Sequence, residues 1–73
     1  MTTEEIIMKA PMDAMGEISR VIQSRKGDFL SIDQEGDNLI VIAKVPISET
    51  NNVNKELKEI LGNSFSLKKY KKN

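Results

Sequence analysis

Residues 16–49 read GEISRVIQSRKGDFLSIDQEGDNLIVIAKVPISE, and the fold turns on where this stretch changes its hydrophobic period. Up to Ser24 the apolar side chains Met15, Ile18, Val21 and Ile22 recur at helical spacing, which leaves Glu17, Arg20, Gln23 and Ser24 for solvent. Gly27 follows Arg25 and Lys26, the order favoured at a helix C-terminus, where cations offset the dipole and glycine turns the chain. Phe29, Leu30 and Ile32 then lead into Gln34-Glu35-Gly36-Asp37-Asn38, a cluster of turn formers. Leu39 to Val45 is the strongest run of β-formers in the chain, and Pro46 ends it. The stretch predicts a helix over Met12–Ser24 and then a β-hairpin whose second strand is central in its sheet.

Outward from there, Glu5 to Ala10 is a short, mostly apolar run closed by Pro11, which removes a ladder donor and suits a helix start, so a strand precedes the first helix. Downstream, Ser48 is the expected N-cap and Glu49 lies in the first turn of a second helix. Its apolar positions are Val53, Leu57, Ile60 and Leu61, and Gly62 stops it. From Ser64 to Tyr70, Phe65 and Leu67 alternate with polar residues as a last strand. The order βαββαβ is an α+β, ferredoxin-like arrangement: a four-stranded antiparallel sheet with two helices on one face. Residues 1–73 are expected to form one domain with a basic tail from about residue 68, and Met1 and the short polar ends read as native ends. Met8, Met12 and Met15 are expected mainly to fill core space. In the Leu39–Val45 run, Ile40 and Ile42 alternate with other apolar residues, so both faces of that strand are apolar while only one can lie under helices. Ile40 and Ile42 are therefore candidate protein-interface residues, with a second copy as a candidate cover.

The composition narrows the chemistry. The chain has no histidine and no cysteine, so the usual general base near neutral pH, the commonest metal ligand, the best nucleophile and any disulfide are all missing. Asp33, Glu35 and Asp37 faintly resemble the start of a calcium loop, but an apolar strand follows and no glutamate completes the loop. The glycine-containing turns Lys26-Gly27-Asp28 and Glu35-Gly36-Asp37 match neither a Walker loop nor a dinucleotide fingerprint. The aromatics Phe29, Phe65 and Tyr70 do not form the stacking pattern of an RNA-recognition sheet. The expectation is a protein that is not an enzyme, with no cofactor and no metal. Met1 to Lys9 has acidic residues ahead of a short apolar run, the wrong order for a signal peptide and too short to span a bilayer, so a cytoplasmic location is expected.

Net charge is zero, but unevenly spread. Residues 1–67 carry eleven acidic side chains against seven basic ones, while Lys68, Lys69, Lys71 and Lys72 crowd the end. A basic tail of this kind either frays in solvent or meets phosphate. Arg20, Arg25 and Lys26 gather at the end of the first helix, where they either offset the helix dipole, about 0.3–1 kcal/mol each, or anchor a phosphate backbone.

Taken in order, Pro11, Gly16, Gln23-Ser24-Arg25-Lys26-Gly27, Gln34-Glu35-Gly36-Asp37 and Val45-Pro46-Ile47-Ser48-Glu49 resemble the C-terminal domain, domain V, of archaeal and eukaryotic elongation factor 2, and less closely that of bacterial elongation factor G. The resemblance covers Ile7 to Glu49. Beyond it, Thr50-Asn51-Asn52-Val53 and Leu57 to Asn63 replace the family's Phe-Gly-rich helix start and its Arg-Ser-x-Thr-x-Gly-Arg segment. The resemblance implies the same βαββαβ fold and a domain without catalytic residues, lying against the factor-binding centre of the large ribosomal subunit and touching its RNA and protein. It implies that Arg25, Lys26 and Gly27 are the matching basic exit turn and face RNA, with Arg20, Lys68, Lys69, Lys71 and Lys72 as further cations. The expected function is a non-catalytic, translation-related protein that binds the ribosome or a translation factor. Its rival is a self-associating adaptor that pairs through the open sheet face.

Overall fold

The computed structural model describes residues 2–70. Strand β1 (Thr3–Pro11) leads through a 3-10 turn (Met12–Ala14) into helix α1 (Met15–Ser24). Strands β2 (Asp28–Glu35) and β3 (Asn38–Pro46) form a hairpin, helix α2 (Ile47–Leu61) follows, and a second 3-10 turn (Gly62–Ser64) precedes strand β4 (Ser66–Lys69). The strands lie in the order β2-β3-β1-β4, every neighbouring pair antiparallel. This is the expected α+β, ferredoxin-like fold, with β3 and β1 central.

Period-2 alternation and the two helical stripes meet in a single layer. Ile6, Met8 and Ala10 from β1 and Leu39, Val41, Ala43 and Val45 from β3 pack against Ile18, Val21 and Ile22 of α1, Val53 and Leu57 of α2, and Phe65. Each of the larger side chains among them contributes about 1.5–3 kcal/mol by leaving water. Met8 is a full core member and Met15 a partial one, whereas Met12 is exposed. In the hairpin Glu35 pairs with Asn38 across the two-residue loop Gly36-Asp37. Gly36 there has φ 61°, the first-position left-handed geometry that two-residue hairpins assign to glycine.

Three local expectations are corrected. The first three residues of the predicted first helix form a 3-10 turn, and the α-helix begins at Met15. Ser48 is not the N-cap of α2: the helix starts at Ile47, Pro46 holds the cap position, and no side chain caps it. The amide of Ile47, the first of the helix's orphan donors, donates to the carbonyl of Thr2, just ahead of β1, at 3.1 Å. On α2 the buried stripe is Thr50, Val53 and Leu57. Leu61 packs partly on the core, while Ile60 is 43% exposed.

Candidate nucleic-acid interface

The exit from α1 is the centre of the candidate site. Here the amide of Lys26 donates to the Gln23 carbonyl at 3.2 Å, and that of Gly27 to the Ile22 carbonyl at 2.8 Å. This pair of bonds is a Schellman closure, which requires a left-handed residue just past the helix. That residue is Lys26, with φ 64°, the one non-glycine residue with positive φ among the described residues. Gly27 serves packing instead. A Cβ there would lie 2.7 Å from Val45 Cγ1, 2.9 Å from Ile22 Cγ2 and 3.2 Å from the Ile22 carbonyl oxygen, so the absence of a side chain lets the turn close onto β3.

Arg25 points across to α2. Its Nη1 donates to Glu49 Oε1 at 3.2 Å and its Nη2 to Glu56 Oε1 at 3.1 Å. The hydrogen bond that Arg25 donates to Glu56 holds the guanidinium above its ordinary pKa; partial burial opposes this, and Glu49 adds to it. The Asn52 amide also donates to Glu49, at 3.2 Å. Arg25 is therefore a bridge between the two helices. Lys26 is exposed and takes part in no ion pair among the described residues. The two residues line a cleft of about 240 Å³ with Ser24, Pro46, Ser48 and Glu49. Arg20 lies further back on α1, exposed, with its Nη2 3.4 Å from Glu17 Oε2.

The remaining sequence candidates are elsewhere. Lys68 pairs with Ile7 and Lys69 with Ile6 at the opposite edge of the sheet, and Lys69 Nζ is 3.7 Å from Glu4 Oε1. Three strand spacings, roughly 14 Å, separate the β2 edge, which Lys26 introduces, from β4. Lys71 and Lys72 lie outside the described residues. Ile40 and Ile42 stand on the sheet face away from the helices, half-buried; Ile7, paired with Ile42, joins them there. Sequence reasoning missed Ile7, and it missed Glu49 and Glu56 as partners of Arg25. Seven residues apart, those two acids share one face of α2, which was the signal available. Missed too was Thr50, whose buried hydroxyl donates to the carboxylate of Glu4 and ties α2 to β1. No helix among the described residues is long and apolar enough to cross a membrane.

The family model described as elongation factor G C-terminus matches residues 2–63, well past Glu49. Among curated proteins, elongation factor 2 of Archaeoglobus fulgidus is 41% identical over 46 residues, that of Methanosphaerula palustris 39% and that of Thermococcus onnurineus 35%. Each match takes in 63% of this chain and 6% of the relative, so the chain spans a small part of the length of the curated relatives it matches. A crystal structure of a protein from Thermus thermophilus superposes with a TM-score of 0.82 at 25% identity, covering 97% of this chain and 11% of that one.

Proposed function

This chain belongs to the elongation factor G C-terminus family, and from that premise we propose that it is a non-catalytic, translation-related protein that binds the ribosome or a translation factor, its residues 1–73 acting as one domain in the cytoplasm. Lys26 carries the reading. It is a lysine at φ 64°, where an L-residue costs roughly 1–2 kcal/mol and glycine costs little. Strain at an exposed position, with no ion pair among the described residues to account for the side chain, fits a lysine whose partner lies outside the molecule. A phosphate backbone suits that partner: each neutralised phosphate releases condensed counterions, and the cation needs no deep burial. Arg25 braces the turn against α2 and leaves Lys26 as its free charge. The name elongation factor 2, borne by the relatives, supports translation as the setting.

One observation favours the rival class, a self-associating adaptor: Ile7, Ile40 and Ile42 make an apolar row on the open sheet face. Sedimentation of the tagged protein with ribosomes from its own source, through sucrose gradients at low and moderate salt, separates the two. Salt-sensitive co-migration with the large subunit, weakened by Lys26→Ala, is the expected result. Protein remaining at the top in both salts, together with a salt-tolerant dimer broken by Ile42→Lys, would transfer the reading to the adaptor.

A further inference from the structure

The sheet has two edges, and the chain treats them differently. Strand β4 is four residues long and bears Lys68 and Lys69, the short, lysine-guarded form that resists further pairing. Strand β2 is eight residues long and, among the described residues, pairs only with β3, with a bulge between Phe29 and Ser31. It carries neither lysine, arginine nor proline, its charges are all acidic, and from Ser31 to Glu35 its register is unbroken. Leu30 and Ile32 on it are each 49% exposed. We propose that the free edge of β2 is a strand-addition site for a basic extended peptide of a partner protein.

The register defines what such a peptide must present. Asp28 lies opposite Lys44, Asp33 opposite Ile40 and Glu35 opposite Asn38, so the three acids share the sheet face turned away from the helices. Ile32 lies opposite the buried Val41 and therefore faces the helix side. Glu35 is engaged with Lys9 at 3.4 Å, while Asp28 and Asp33 make no ion pair among the described residues. An added strand closes the unpaired backbone groups of the edge. Because side chains alternate across a strand, cations at every second position meet Asp28 and Asp33, and aliphatic residues between them cover Ile32. The same charges oppose a second copy at this edge. Two β2 strands side by side bring acids against acids with no base between them, and like charges opposite one another destabilise a strand pair. The β2 edge could hold such a peptide whether or not the turn at Lys26 meets a ribosome.

The test is amide NMR of the full chain titrated with a synthetic peptide of alternating lysine and valine. A block-ordered peptide of the same composition and an alternating glutamate–valine peptide serve as controls. Saturable shifts over residues 28–35 are expected with the alternating lysine peptide alone, about tenfold weaker in Asp33→Lys. Asp28→Asn supplies a milder second variant that should weaken binding in the same direction, and thermal unfolding checks that both remain folded. Equal binding of either control peptide, shifts mapping to β4 or the helices, or unchanged affinity in both variants would overturn the proposal. So would concentration-dependent shifts of β2 without peptide, which would mean pairing between copies.

Discussion

Gly27 has no room for a side chain. A Cβ built there meets Val45 Cγ1 and Ile22 Cγ2 inside 3.0 Å, and both residues are fully buried and cannot swing away. Gly27→Ala should therefore destabilise the protein by about 1–3 kcal/mol, the usual range for an overpacked core, read as a lower urea midpoint at unchanged slope. Lys26 is the opposite case, with space outside and an unfavourable backbone. Lys26→Gly relieves the left-handed strain and should stabilise the fold by about 1 kcal/mol while lowering ribosome affinity. A variant that gains stability and loses binding cannot be explained by unfolding. If Lys26→Gly bound ribosomes as the parent does, the side chain would have no part in the contact. The sequence placed a glycine and two cations at this exit correctly, with Gly27 as the residue a helix C-terminus favours, but the left-handed position is held by Lys26. Which of two adjacent residues turns the chain is decided by β3 packed against it, and local propensity does not see that.

At the scale of elements, Arg25 links the end of α1 to the face of α2 through Glu49 and Glu56. A planar fork reaches two carboxylates at once, which a lysine ammonium on a flexible stem does not reproduce. Arg25→Lys should lower Tm at neutral pH, and it should also make stability pH-dependent in alkali. The guanidinium pKa is raised in the folded state, chiefly by Glu56. Its stabilisation is thus complete below the unfolded-state value and is lost only as pH climbs through the raised one, beyond ordinary alkaline conditions. A lysine there would bring that window down towards about 10.4. Thermal melts from neutral pH to about pH 11, through the lysine window, check this, and parallel curves for the parent and Arg25→Lys would refute it. The elements themselves were legible because their periods are clean: Ile18, Val21 and Ile22 on α1, and the alternation through β3. The edges of α2 were not. Ser48 fits a cap by residue type, but the helix starts one residue earlier, at Ile47, whose amide is held by the Thr2 carbonyl, and that partner is remote in sequence. Ile60 has the apolar type and spacing of a core residue, but the buried stripe of α2 runs through Thr50, a polar residue whose hydroxyl is satisfied by Glu4 on β1.

Across the whole molecule, charge is laid out by the order of the strands. The cations that crowd together in a list of basic residues are divided by the sheet: Arg25 and Lys26 lead into β2 at one edge, and Lys68 and Lys69 sit on β4 at the other. Part of the acidic excess of residues 1–67 is likewise placed, on the β2 edge and in the carboxylates that hold Arg25. One-dimensional counting located the charges but not their separation, since the β2-β3-β1-β4 order puts the outer strand of the hairpin and the last strand at opposite ends. That separation makes the two cation groups distinguishable in solution. If phosphate is met at the α1 exit, Lys26→Ala should reduce the slope of log affinity against log salt by about one and weaken ribosome binding, as expected for one phosphate contact. Lys68→Ala, on the face shared with Ile7 and Ile42, should leave that slope unchanged. Equal losses from both substitutions would require a surface wrapped around both edges of the sheet, and would favour docking by the open face over docking by the turn at Lys26.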